Sequence, residues 1–367
     1  MWGTRDFRVR RIAPLAQRRV QRRLLPPYQK SFSIRRCVEE SLLQIADSSF
    51  AQSVEGAHNF SMRRFFLGLS LPLCLAVSGL SFAQQAPSAL TVDPPQDPKY
   101  PASMVSLADV PSHGENLLGV FYLAAGAGPH PTVVLMHGFP GFEQNLDLAQ
   151  AMRRAGWNVL AVHYRGSWGV KGNFSFEHAI EDADAEVAFV TDPANAKKYH
   201  VDTSKIVVLG HSMGGFMVAS AAAHDRKIAG VVMISAWNIG ASFPPSGAGG
   251  SQHNADQGAK GKLVEEFTQD NDAVPLAGCT VESLVNEAYE HRSTWNFNDY
   301  AAALTSRPVL VIFADDGLGP QDQTFATALK KAGDTRVTEA HFPTDHSYSD
   351  HRLALTTVVL NWLATLQ

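Results

Sequence analysis

The stretch at 205–215, KIVVLGHSMGG, limits the possible folds more than any other part of the chain. An apolar, β-branched run enters a turn rich in glycine, and the residues beyond it, GGFMVASAAAHD, suit a helix. A strand that turns into a helix so abruptly brings backbone segments into contact. The small residues two before and two after Ser212 leave room for that approach. Such a turn pushes the Ser212 hydroxyl out of the C-terminal edge of a sheet. The first N–H groups of the helix then point at the same place. A tight βα turn with an incidental serine is the plainer alternative.

The rest of the chain is organised to match. From about residue 115, short apolar runs alternate with amphipathic stretches, as in βα units on a mostly parallel sheet. The expected strands are LLGVFYLAA, TVVLMHG, NVLAVHY, KIVVLGH, GVVMISA, PVLVIFA and RVTEAHF. Helical stretches between and after them include LDLAQAMRRAG, FEHAIEDADAEVAFV, DQTFATALKKAG and the closing LALTTVVLNWLATL. Buried parallel strands are apolar on both faces, and these runs are nearly so. The alternation breaks once, between Trp237 and Arg307. Those roughly 70 residues begin with FPPSGAGGSQ and continue through LVEEF and VESLVNEAYEHR, too long for a plain connector. They are expected to form a lid of short helices at about 239–306.

A serine hydroxyl at its ordinary pKa needs a base, and the base needs an orienting carboxylate. The strand PVLVIFA is followed at once by Asp315 and Asp316. After RVTEAHF comes PTDHSYSDHR, in which His346 occupies a loop able to turn toward the serine. His341 is expected to pack within the strand, while His351, at a helix start, is an alternative base. Asp345, next to His346, suits a turn cap better than an orienting role. Two N–H donors are expected to face a developing oxyanion, from Met213 after the serine and from Phe139 in HGFPG. Pro140 has no N–H to offer. His163, His200 and His211 read as core or supporting histidines. No zinc-spaced cluster or dinucleotide fingerprint occurs, so no metal or cofactor is expected.

From residue 115 to its end the chain resembles the α/β-hydrolase superfamily, and within it the prolyl-oligopeptidase-like and dienelactone-hydrolase-like branches. The residues behind this are HGFPG at 137–141, HYRGSWG at 163–169, HVDTSKIVVLGHSMGG at 200–215, DDGLGP at 315–320 and DHSYSDH at 345–351. The resemblance implies an α/β-hydrolase fold, a mostly parallel central sheet flanked by helices, with the lid inserted after strand 6. It also implies the chain order Ser212, Asp316, His346. Asp316 is preferred over Asp315 because the D-x-x-x-P spacing to Pro320 is similar to that of related hydrolases. The implied chemistry is acyl transfer to water through an acyl-enzyme, without a cofactor, on a small ester, an amide or a short peptide. An aminopeptidase or dipeptidyl peptidase would need acidic groups for an α-amine, and Glu265, Glu266 and Glu282 are candidates. A non-catalytic binding module on the same fold is the third reading.

Charge and cysteine content bound the partners and the compartment. The chain carries −4 overall, but residues from 84 onward hold eighteen Lys/Arg against thirty Asp/Glu, a net of −12. A body so acidic, without a basic stripe, argues against nucleic-acid binding. At Met62, two arginines precede the apolar run FFLGLSLPLCLAVSGLSF, and Ser81-Phe82-Ala83 follows at its end. These are the parts of a secretory signal peptide at 62–83, which implies a secreted or periplasmic protein with no stable membrane insertion after cleavage. The basic 1–61 extension is then expected to reflect a start assigned too far upstream. An organelle transit segment and a membrane anchor are its rivals, and a lipoprotein site at Cys74 is disfavoured by Leu73. Residues 84–114 read as a linker or arm, and 115–367 as the hydrolase domain. Of Cys37, Cys74 and Cys279, only Cys279 would remain in the mature chain, as a structural thiol with no disulfide partner. Nothing in the pattern fixes an oligomeric state.

Overall fold

The computed structural model describes residues 87–244 and 252–367. Residues 1–61, the signal-like segment 62–83, Cys37, Cys74 and residues 245–251 of the Gly/Pro/Ser-rich stretch lie outside the described residues. Eight strands form one sheet: β1 Ser103–Ser112, β2 Glu115–Leu123, β3 His130–Met136, β4 Asn158–His163, β5 Val201–His211, β6 Gly230–Ile234, β7 Val309–Ala314 and β8 Val337–Phe342. Their order is β1-β2-β4-β3-β5-β6-β7-β8. The β1/β2 and β2/β4 pairs are antiparallel and every later pair is parallel.

The central strands carry unbroken apolar runs where both faces are covered. Val134 and Met136 of β3, Val208 of β5 and Val231 and Met233 of β6 face one core. Their neighbours Val133, Leu135, Val207, Leu209, Val232 and Ile234 face the other. This alternation follows from the two-residue repeat of a strand. Helices α2 Phe176–Thr191, α4 Met213–His224 and α8 Gly319–Lys331 bury their apolar residues in the first core. Helices α1 Leu146–Arg154 and α9 Arg352–Ala364 do so in the second. Helix α3, Pro193–Tyr199, completes the connection before β5.

Three observations revise the expectations. Part of the presumed linker is β1, an edge strand whose alternate residues are mostly exposed and whose register slips between Leu107 and Val110. It lacks the apolar run by which buried strands are recognised. The opposite edge strand, β8, is also largely exposed, and the His341 side chain keeps 46% of its surface rather than packing inside. The segment between β6 and β7 is helical as expected, but it is dominated by one long helix, α5 Gln252–Gln269. Helix α6 Val281–Glu290 and the short α7 Ala301–Leu304 follow it. This insertion is tied to the main domain. The Glu287 carboxylate accepts from the first N–H groups of α2, at Phe176 and Glu177, 3.0 Å each. Asn238, after β6, donates to Asn296 and accepts from the Phe297 amide.

A buried ion pair joins β1, the loop after β4 and α2. The Asp182 side chain is fully buried, and its oxygens accept from Arg165 Nε at 2.6 Å, the Arg165 amide at 2.7 Å and the Ser112 hydroxyl at 2.5 Å. Arg165 Nη2 also pairs with Glu181 and donates to the His178 carbonyl, but Asp182→Ala would leave the Arg165 Nε, the Arg165 amide and the Ser112 hydroxyl without their acceptor in the interior, so urea denaturation should report a loss of about 3–5 kcal/mol. A loss under about 1 kcal/mol, the value of an exposed pair, would contradict this account of the junction.

Candidate active site

Strand β5 ends at His211, and Ser212 turns the chain into α4 with φ 56° and ψ −122°, backbone that a residue with a side chain rarely adopts. The turn is held from outside. The Ser212 amide donates to the Ile234 carbonyl at 2.9 Å, and the Ser212 carbonyl accepts from the amides of Gly215 and Trp237, each at 2.9 Å. These bonds lash the elbow to the end of β6. A Cβ on Gly210 would lie 2.0 Å from the Gly214 carbonyl oxygen, so the spacing of small residues around the serine is a steric requirement.

Ser212 is 9% exposed and lies at the wall of a cavity of about 810 Å³. The same cavity is lined by Asp316, which follows β7, and by His346, in the loop between β8 and α9. His346 Nδ1 lies 2.8 Å from Asp316 Oδ2, and the Asp316 side chain is 2% exposed. Burial pushes the Asp316 carboxyl upward, but donors from His346, Ser235 and the Leu318 amide outweigh it and hold the group below its ordinary value. An ionised Asp316 places the imidazole proton on Nδ1 and leaves Nε2 basic. The Ser212 hydroxyl has no hydrogen-bond partner among the described residues.

The loop carrying His346 is pinned on several sides. His211 Nε2 donates to the His346 carbonyl at 2.8 Å, and the two rings lie 4.6 Å apart. Burial and the neighbouring His346 depress the His211 pKa to about 3, so the ring stays neutral and keeps this one donor geometry. The buried Tyr348 hydroxyl bonds that of Ser235 at 2.9 Å, and Arg352 bridges the Ser347 carbonyl to Asp147 on α1.

The loop after β3 crosses directly over the serine. A Cβ on Gly138 would meet the Ser212 Cβ at 2.8 Å. His137 Nδ1 donates to the Gly138 carbonyl at 2.7 Å, and its Nε2 lies 3.2 Å from His163 Nδ1. In a trans peptide the C=O and the next N–H point in opposite directions. Holding the Gly138 carbonyl against His137 therefore aims the Phe139 N–H away from it, and that N–H donates to no carbonyl among the described residues. Met213, the other expected donor, is the first residue of α4, where an N–H lacks an intrahelical acceptor. Burial, then His163, lowers the His137 pKa to about 3.

The sequence singled out Ser212, Asp316, His346, Met213 and Phe139, and the structure brings them to one sheet edge. It separates the alternatives. Asp315 pairs with His341 at 2.8 Å on the exposed side of β8, and His351 pairs with Asp350 at 2.8 Å. Asp345 accepts from the Ser349 amide, the turn cap expected of it. Glu266 lines the cavity, whereas Glu265 and Glu282 do not. The Cys279 thiol is pushed up by burial and by Glu287, the reverse of an activated nucleophile. The orienting part of His137 escaped the sequence reading, because it acts through a peptide unit and no spacing records it. Among the described residues no His/Cys/Asp/Glu group is placed to hold a metal, and no helix is long and apolar enough to cross a membrane.

Comparison with known proteins places this geometry in context. An Escherichia coli protein described as an uncharacterized 31.7 kDa protein of the traX-finO intergenic region is 30% identical over 123 residues, 32% of this chain and 41% of that one. The chain thus spans less than half the length of that relative. Among solved structures, the thermostable carboxylesterase EstE1 from a metagenomic library aligns with TM-score 0.51 and 20% identity, covering 76% of this chain and 92% of that one. The Pyrococcus horikoshii acylaminoacyl peptidase aligns with TM-score 0.50 and 18% identity, covering 72% and 41%. At such identities these two speak for the fold alone. The profile described as the alpha/beta hydrolase family matches residues 133–356, from within β3 into α9. Matched over more than half its length, and with the sheet that this match requires, the chain belongs to the alpha/beta hydrolase family.

Proposed function

We propose that the chain is an exported serine hydrolase that cleaves carboxylic esters or small amides through an acyl-enzyme. The observation that carries this reading is the 2.8 Å His346–Asp316 pair on the wall of the cavity that also holds the strained Ser212. In this reading Ser212 Oγ attacks the carbonyl carbon and its proton passes to His346 Nε2. Asp316 stabilises the imidazolium that results. The tetrahedral oxyanion accepts from the Met213 and Phe139 amides, and its collapse expels an alcohol or amine that takes the proton back. Water then repeats the sequence on the acyl-enzyme and frees the acid. The unpartnered serine hydroxyl suits an unliganded site, where such bonds run long and tighten on substrate.

Cleavage of short peptides is the second reading, favoured by the carboxylates Glu266 and Asp272 on the cavity wall. A peptide library set against an ester panel separates the two. Export rests on the segment at 62–83, and a mature N-terminus at or near Gln84, read by N-terminal sequencing of protein from its native host, tests it.

Ser212→Ala should abolish fluorophosphonate labelling and lower p-nitrophenyl ester turnover by about 10⁴-fold or more, with the fold retained. Undiminished labelling of that variant would remove the assignment, and failure of the unaltered chain to react with any serine-directed probe would revive the binding-module reading. The pH profile gives a second check. A carboxyl with a depressed pKa stays ionised down past its ordinary value, so Asp316 keeps its charge wherever an imidazole titrates. The acid limb of kcat/KM should therefore fall with a slope no steeper than one, with no contribution from the carboxylate. A slope of two would mean that the carboxylate titrates as well.

A further inference from the structure

The cavity at Ser212 has two unlike walls. Phe139, Trp237, Leu263 and Phe267 form an apolar side. Opposed in character are three carboxylates from the end of α5 and the turn after it, Glu266, Asp270 and Asp272. The Asp272 amide donates back to the Phe267 carbonyl at 3.0 Å, which folds this residue inward. Asp272 is 8% exposed, while Glu266 and Asp270 are open to solvent at the cavity edge. Its carboxylate meets no hydrogen-bond donor among the described residues.

A buried carboxylate without donors is costly, and a folded protein ordinarily pairs it. Here the neighbours make matters worse. Burial, then Asp270 and Glu266, raise the Asp272 pKa to about 7. The other ionisable side chains lining the cavity are Glu143, His211, Lys262, Asp316 and His346. Asp316 is already committed to His346, and the Glu143 carboxylate accepts from the Asn145 amide. Lys262 is exposed and bonds to none of the three acids among the described residues. The corner is therefore negative, partly desolvated and open to the same space as the serine hydroxyl.

We propose that this corner receives a cationic nitrogen of the substrate, so that the favoured substrates are esters or amides carrying an ammonium group. The inference rests on the hydrolase reading of Ser212 and narrows its substrate class. An ammonium group has the three N–H donors that the Asp272 carboxylate lacks. Its charge also offsets the mutual repulsion of the three acids, while the alkyl part of such a substrate lies along Phe267 and Trp237.

The test uses two p-nitrophenyl esters of matched length, the aminohexanoate and the heptanoate, which differ by an ammonium in place of a terminal methyl. The full chain should favour the aminohexanoate in kcat/KM by about tenfold or more, carried by KM. That ratio should fall by about tenfold in Asp272→Asn, and also fall in Asp270→Asn, which guards against misfolding of the first variant. Glu265→Gln is the control, because this residue pairs with Gln269 outside the cavity, and it should keep the wild-type ratio. Equal kcat/KM for the two esters in the wild type, or an unchanged ratio in Asp272→Asn, would overturn the proposal. A chain that labels at Ser212 yet shows no charge preference fails here alone, leaving the hydrolase reading intact. Hexylammonium binding by calorimetry reads the corner without turnover, and wild type binding no tighter than Asp272→Asn would also overturn it.

Discussion

The strained turn at Ser212 is the constraint from which the rest of the site follows. A residue with φ 56° is held there by hydrogen bonds to Ile234, Gly215 and Trp237, and by glycine backbones that pass too closely for any side chain. Such strain persists only where the surroundings over-determine it. The surroundings here are the two apolar cores, which fix β5, β6 and α4 so firmly that the turn between them has one available shape. Burial of nearly every residue in α4 supplies that rigidity.

Around this fixed point the other groups are placed by bonds that are themselves buried. The neutral His211 ring ties the loop of His346 to the residue before the serine, and the neutral His137 ring sets the peptide between Gly138 and Phe139. Both rings have pKa values near 3, so neither changes its donor pattern at physiological pH. His211, which reads as a core or supporting histidine, and His137 of the HGFPG loop thus orient the proposed base and the proposed oxyanion donor. The rigid side of the site belongs to the sheet, whereas the acidic side belongs to the insertion between β6 and β7. Variation in that insertion can change what is bound without disturbing the serine, the usual division between scaffold and loops.

Much of this was legible in the residues because the signals are local. KIVVLGHSMGG gives strand, elbow and helix in one stretch, and the apolar runs name every central strand. The D-x-x-x-P spacing to Pro320 favours Asp316 over Asp315, and neighbouring residues leave a strand end in opposite directions, so only one of the two can face the serine. The structure separates them by burial, with side chains 63% and 2% exposed. Strand β1 was missed because an edge strand needs no apolar run. Asp272 was invisible because its burial comes from the chain reversing after α5. Export and the N-terminal extension lie outside the described residues and rest on the sequence.

The central claim is that a covalent acyl group resides on Ser212 between two half-reactions. Rapid-quench mass spectrometry of the chain mixed with a p-nitrophenyl ester reads this directly. The account predicts a transient species heavier by one acyl group, with the modification on the peptide containing Ser212. Ester hydrolysis with no such species at any quench time, or an acyl group found on another residue, would contradict it.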